Sequence, residues 1–249
     1  MADIDLNADL GETTLENDAA LMPYISSANI ACGFHAGDPA YMAGLVALCK
    51  KHQVSIGAHP SYWDREHFGR RDLDVPPDDI YAIVQYQIGA LQAIARSQSM
   101  PVKHVKPHGA LYNRAAVDVG VAKAIAKAVR DCDDGLILVG LANSCLIEAG
   151  RALGLRTAAE GFADRRYTDA GLLVPRSQAE ALISDEHEAI AQALGMTLEK
   201  RISTATGKRI MLSMQTLCLH GDGPHALRFA QALRQAFADN GIAVKAMTS

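Results

Sequence analysis

Short apolar runs alternate along this chain with longer stretches of helical periodicity, from residue 4 to residue 244. Such alternation is the signature of βαβ units, in which parallel strands are joined by helical crossovers. The runs predict strands over 4–7, 28–31, 54–58, 102–106, 136–140, 156–160 and 215–219, with a further short strand over 242–244. Helices are predicted over 39–52, 80–96, 117–132, 144–153, 186–199 and 224–240, and a short one over 178–182. Pro39 and the pair Pro76-Pro77 stand at helix starts, where the missing proline N–H would have no partner anyway. Gly241 follows the last helix, as a terminating glycine commonly does. Residues 161–177 are polar and bear glycine and proline, which reads as a long functional loop. The units favour a closed or nearly closed barrel over an open doubly wound sheet. The 249 residues suit one α/β barrel domain over 1–249, since such barrels need ~250 residues.

Almost every predicted strand ends in a polar cluster. The clusters are Asn7-Ala8-Asp9-Leu10-Gly11-Glu12, Cys32-Gly33-Phe34-His35-Ala36-Gly37-Asp38, His59-Pro60 and Lys106-Pro107-His108-Gly109. Glu160 with Asp164 and Arg165, and finally His220-Gly221-Asp222, continue the series. In a barrel the C-terminal strand ends share one face, and active sites form there. In an open sheet only the strands beside the switch point would meet.

Asp5, Asn7 and Asp9 fall on one face of an extended strand. If that face is the barrel interior, their carboxylates are costly to bury unless they meet a cation or do acid–base work. His35, His59, His108 and His220 stand at four different strand ends. Imidazole titrates near neutral pH and also ligates metals. With Asp9 these residues could form an acid–base set or a mononuclear metal site, for which Asp9, His35 and His59 are the candidate ligands. The spacing matches no zinc motif. Lys103, Lys106, Arg70, Arg71, Arg165 and Arg176 place cations in or near the same loops, and a guanidinium fork suits a carboxylate or phosphate. Lys106, inside a strand-end cluster, is the strongest of them.

Several function classes are disfavoured. Hydrophobic residues make up 49% and charged residues 21%, as in ordinary globular proteins. Net charge is -4 and no basic tract appears, so a nucleic-acid partner is not expected. No apolar run approaches the ~20 residues of a membrane span. The segment Met1-Ala2-Asp3-Ile4-Asp5 does not look like a secretory signal, and a cytoplasmic location is expected. Five cysteines without a C-x-x-C pair read as reduced thiols. There is no nucleophile elbow and no phosphate-binding P-loop; Thr204-Ala205-Thr206-Gly207-Lys208 lacks that loop's spaced glycine and hydroxyl residue.

Seven runs together resemble the LamB/YcsF family. They are 5–12, 29–39, Gly57-Ala58-His59-Pro60 with Phe68-Gly69-Arg70-Arg71, 105–113, Phe162-Ala163-Asp164-Arg165 with Tyr167, Leu173-Val174-Pro175-Arg176, and 218–222. They occur in order, so the resemblance covers essentially the whole chain. His67 is a local departure from the resemblance, which implies glycine there in many relatives.

The resemblance implies a seven-stranded TIM-like (β/α) barrel of the glycoside hydrolase/deacetylase type. It implies the A subunit of an ATP-dependent 5-oxoprolinase, which cleaves 5-oxo-L-proline to L-glutamate while ATP becomes ADP and phosphate. ATP and Mg2+ would be the cofactors, and subunits B and C the partners. Residue chemistry then assigns Asp9, His59, His35 and His108 to catalysis, and Asn7, Lys106, Arg70, Arg165 and Glu160 to substrate or phosphate binding. Two other readings stay open: a stand-alone metal-dependent hydrolase of carbohydrates or N-acyl groups, and a non-catalytic scaffold subunit. A homo-oligomer is compatible with the apolar helix faces.

Overall fold

A computed structural model describes residues 2–219 and 226–247. Strand β1 (Asp3–Leu10) shows how the chain uses a strand's two faces. Leu6, Ala8 and Leu10 join the apolar layer, while Asp5, Asn7 and Asp9 alternate with them and are also buried. A strand buried on both faces must sit between a helical layer and an enclosed interior.

The remaining elements follow in βα order. They are α1 (Leu15–Leu21), β2 (Ser27–Ala31), α2 (Pro39–His52), β3 (Ser55–His59), α3 (Pro77–Ser97), β4 (Val102–Val105), α4 (Gly109–Val117), α5 (Val119–Cys132), β5 (Ile137–Leu141), α6 (Cys145–Ala152) and β6 (Arg156–Phe162). Then come α7 (Glu186–Leu194), β7 (Arg201–Ser203), β8 (Arg209–Met211), β9 (Thr216–Leu219), α8 (Ala226–Asp239) and β10 (Ala243–Val244).

Strands β1 to β6 pair in parallel and in chain order, β6 pairs with β9, and β9 returns to β1. That closes a seven-stranded TIM-like barrel, as expected. Strand β10 adds to the start of β1 through Asp3↔Ala243 and Ile4↔Val244. At the opposite end from the polar clusters, Ile137, Val139 and Ala158 form an apolar group against which Met247 packs.

Register fixes which side chains meet inside. Asp5 lies beside Thr216, Asn7 beside Ser27 and Cys218, and Asp9 beside Asn29. Glu160 also lies beside Thr216, and Gly57 beside both Asn29 and His104.

The structure corrects several expectations. β1 runs from 3 to 10 rather than 4 to 7, because its polar face is buried and paired. Helices α1 and α4 were not expected. α4 is separated from α5 by Asp118, whose carboxylate accepts from the N–H groups of Gly120 and Val121 and starts a new helix. Residues 178–182 form turns and an isolated bridge between Arg165 and Leu182, not a helix. Residues 204–208, the faint echo of a P-loop, are the turn of the β7–β8 hairpin, closed by Thr204 N–H donating to Lys208 O at 2.8 Å. The cluster His220-Gly221-Asp222 and the first residues of the predicted 224–240 helix lie outside the described residues. All five cysteines are free. Among the described residues no helix is long and apolar enough to cross a membrane.

Candidate functional site

The barrel interior is a continuous ladder of polar side chains. At its foot the Asp5 carboxylate accepts from Ser26 Oγ at 2.7 Å, from Ser27 Oγ at 2.6 Å and from Thr216 Oγ1. Burial nevertheless raises the Asp5 pKa, against the three hydroxyl donors. One rung higher, Asn7 Nδ2 donates to Thr216 Oγ1 at 2.6 Å and to Glu160 Oε1 at 2.9 Å. Asn29 Nδ2 donates to Asn7 Oδ1 at 2.7 Å and to Asp9 Oδ1 at 2.9 Å, while its own Oδ1 meets His104 Nε2 at 2.8 Å.

Lys106 stands at the centre. Its Nζ lies 2.9 Å from both Asp9 Oδ1 and Glu160 Oε1, 3.3 Å from Asn7 Oδ1 and 3.1 Å from Cys218 Sγ. Burial alone would lower the Lys106 pKa, but Asp9, Cys218 and Glu160 hold it well above its ordinary value, so the side chain is an ammonium. Burial and the same ammonium push His104 down to about 3, which keeps it neutral.

Above the ladder, three imidazoles surround one carboxylate oxygen. His35 Nε2 lies 2.8 Å from Glu12 Oε1, His108 Nδ1 3.3 Å and His59 Nε2 3.7 Å. His59 Nε2 is also 3.0 Å from His108 Nδ1 and 3.4 Å from Asp9 Oδ2. The His35 and His108 rings stack with centroids 3.7 Å apart. Burial would raise the Glu12 pKa, yet the His108 and His35 imidazoles beside it hold it far below, so Glu12 is ionised. His35 is pushed down to about 3 by burial and by His108. Burial lowers His59, but Asp9 outweighs it and raises the pKa overall.

The supporting loops show why these residues are so placed. Phe68 adopts a left-handed backbone, with φ of 56°, and its carbonyl accepts from His108 Nε2 at 2.8 Å. The strained residue is Phe68, not the departure His67, which sits on a short helical turn beneath Asp64. Gly69 and Gly109, both with positive φ, let the two loops touch; a Cβ on Gly109 would strike the Gly69 carbonyl.

The mouth opens into a cavity of about 520 Å³. Asp9, Glu12, His59, Lys106 and His108 line it, with Arg70, Arg165 and Arg176 around them. Arg70 lies 4.7 Å from the centre of the Phe68 ring. Arg165 donates to Val174 O at 2.6 Å and to Ala181 O at 3.3 Å. Burial, with Arg176 beside it, pushes Arg165 down to about 10, still cationic at neutral pH.

Asp9, His59, His108, Lys106, Arg70 and Arg165 thus share one cavity, and His35 stands directly behind it. Asn7 and Glu160 do not line the cavity. They lie beneath its floor, joined to each other and to Lys106, which corrects the direct ligand contact expected of them. Among the metal candidates, Asp9 Oδ1 is taken by Lys106 and Asn29, and the oxygen at the centre of the imidazoles is that of Glu12. Sequence reasoning also passed over His104 and Asn29. His104 shares Lys106's strand face at a spacing of two, a signal that could have found it.

Comparisons with known proteins agree with this fold. The model of the LamB/YcsF family matches residues 4–249. The crystal structure of a lactam utilization protein from Thermus thermophilus is 42% identical, with a TM-score of 0.91, over 98% of this chain and 100% of that one. A putative cellobiose-phosphate cleavage protein from Enterococcus faecalis is 12% identical, with a TM-score of 0.55, over 98% and 96%. A family 4 carbohydrate esterase from Streptomyces lividans is 12% identical, with a TM-score of 0.50, over 99% and 93%. The last two share the fold alone.

Proposed function

The chain belongs to the LamB/YcsF family, and from that premise we propose that it is the A subunit of an ATP-dependent 5-oxoprolinase. The observation that carries this reading is the cavity itself. Its floor holds the Asp9 and Glu12 carboxylates and two imidazoles, and its wall holds Arg70, Arg165 and Arg176. A small anionic lactam together with a phosphate group suits that charge pattern. The similar Thermus thermophilus protein, described as a lactam utilization protein, supports the substrate class. The cavity volume of about 520 Å³ is in the range of small-molecule sites.

A lactam resists water because its amine is a poor leaving group. Transfer of the ATP γ-phosphoryl group to the amide oxygen releases ADP and makes the ring carbon electrophilic. Water adds there, the C–N bond breaks with a proton delivered to nitrogen, and a second water releases phosphate. One ATP and two waters are consumed for each glutamate formed. His59 presents Nε2 to the cavity because its Nδ1 is held by Lys106 O at 2.7 Å. The Asp9 carboxylate, 3.4 Å from that Nε2, makes it the better base toward water. The arginines stabilise negative charge as it develops. Magnesium prefers oxygen ligands in octahedral geometry. Asp9 and Glu12 are occupied by cations and imidazoles, so magnesium would arrive with the nucleotide phosphates. The chain lacks a glycine-rich phosphate loop, and subunits B and C complete the nucleotide grip.

The test is reconstitution with subunits B and C, measuring ADP and glutamate release with each component omitted in turn. Glutamate should appear only with ATP and all three chains. Asp9→Ala should lower turnover by at least ~10²-fold while co-purification with B and C persists; near-normal turnover would sink the assignment. Activity of B and C alone would make this chain a scaffold. The Glu12 and imidazole group favours a second reading, an N-acyl hydrolase that needs no ATP; acetate release from acetylated sugars by the chain alone would establish it.

A further inference from the structure

We infer that Glu12, His35, His59 and His108 bind one divalent transition-metal ion of zinc-like preference at the cavity floor. The inference rests on where the imidazole protons must be. His59 Nδ1 faces the Lys106 carbonyl at 2.7 Å, which can only accept, so the neutral ring that a metal needs carries its proton on Nδ1 and offers Nε2 bare. His108 Nε2 faces the Phe68 carbonyl at 2.8 Å, so in the neutral ring its Nδ1 is the bare nitrogen. The Ser61 hydroxyl spends its proton on Tyr62 O at 2.8 Å, so His35 must donate from Nδ1 to Ser61 Oγ, leaving its Nε2 bare.

Three bare nitrogens therefore point at one another and at a carboxylate oxygen. The four atoms all lie within 4.8 Å of one another. Adjacent lone pairs at 3.0 Å, as between His59 Nε2 and His108 Nδ1, repel unless a cation lies between them. Bond lengths of ~2.0–2.1 Å would set tetrahedral ligand atoms roughly 3.3 Å apart. The four pairs around Glu12 and His59 span 2.8 to 3.7 Å about that value. Three nitrogens and one oxygen select zinc-like ions over magnesium or calcium. Each imidazole is also oriented by an acceptor on its far nitrogen, as metal-bound histidines are. Glu12, His59 and His108 line the cavity, so a bound ion would be open to a ligand on that side. An ion on His59 Nε2 would pass the proton-accepting role proposed above to the Asp9 carboxylate 3.4 Å away, and any part of the ion in lactam opening rests on that reaction; the binding does not.

The experiment uses the full chain alone, without nucleotide or partners. After removal of metal by a chelator, Zn2+ is titrated calorimetrically and Co2+ is added as a spectroscopic probe. One equivalent of Zn2+ should bind, and Co2+ should give intense visible bands of a four-coordinate site. Glu12→Gln and His108→Ala should each weaken Zn2+ by at least ~100-fold, and Ser61→Ala by ~10–100-fold through His35. If a ligand variant fails to fold, the wild-type stoichiometry and Co2+ spectrum still decide. Less than a tenth of an equivalent bound, an octahedral Co2+ spectrum, or unchanged affinity in folded Glu12→Gln and His108→Ala would overturn the site. A chain that binds zinc but opens no lactam when reconstituted with ATP and subunits B and C would refute the reaction and keep the metal.

Discussion

At the scale of single residues, the interior is filled by exchange of volume between neighbours. Gly57 occupies an inward position of β3, and a Cβ there would fall within the His104 ring. The glycine exists because an imidazole fills its place. Gly57→Ala should therefore destabilise the fold by about 3 kcal/mol, the upper end of overpacking costs. Adding His104→Ala should recover part of that loss, and chemical denaturation of the double-mutant cycle reads the coupling. Additive losses would mean the two positions do not compete for space. Asp18 makes a different point. Its buried carboxylate accepts from Gly11 N–H at 2.7 Å and from the Tyr41 hydroxyl at 2.8 Å. Burial, with Glu12 adding like charge, raises its pKa despite these donors. A raised folded pKa means that this group's stabilisation is whole below the unfolded value of about 3.9 and is lost as pH rises through the folded one. Asp18→Asn keeps an acceptor and cannot ionise. Its stability relative to the parent should climb from pH 4 and level off above the folded pKa. Parallel stability curves from pH 4 to 7 would show that Asp18 titrates as in the unfolded chain.

At the scale of elements, legibility followed burial. The barrel strands could be read because both of their faces are buried, which leaves apolar runs with polar residues at their ends. The hairpin β7–β8 could not, since Arg201-Ile202-Ser203 and Arg209-Ile210-Met211 are short and bury little. Helix α4 starts directly on the His108-Gly109 cluster, so its beginning was hidden inside a site motif. The site residues were legible as strand ends, but their layering was not. Nothing in the order of residues says that Glu160 lies under the floor while Glu12 faces the mouth, because that depends on barrel closure through β9. The wall segment 166–183 was expected as a loop as far as 177 followed by a short helix over 178–182, and its order comes from a side chain. The Arg165 guanidinium joins the Val174 and Ala181 carbonyls across it. Arg165→Ala would leave both without that donor, at a cost of about 1–3 kcal/mol. Hydrogen exchange should quicken over 172–183 with the barrel strands unchanged. Unaltered protection there would mean that the backbone bonds of the segment, such as Arg166 N–H to Ala181 O at 3.0 Å, suffice alone.

At the scale of the molecule, the barrel separates chemistry from stability along its axis. One end gathers Lys106, Asp9, Glu12 and the imidazoles into an open cavity. The other is closed by Ile137, Val139 and Ala158, with Met247 packed against them after β10 has paired with β1. Water entering from below would weaken the electrostatic coupling of Lys106 to its two carboxylates, which the lower plug opposes. Met247 is half-buried, so Met247→Ser should cost about 1–2 kcal/mol, less than a fully buried methionine would. It is not among the residues that line the cavity, so Zn2+ affinity at the mouth should stay within about twofold of the parent. Thermal denaturation and zinc titration of the same preparation test both halves of this separation. A lowered melting temperature with unchanged zinc affinity is the expected pair. A matching fall in zinc affinity would instead show that the lower plug sets the geometry of the mouth through the polar ladder between them.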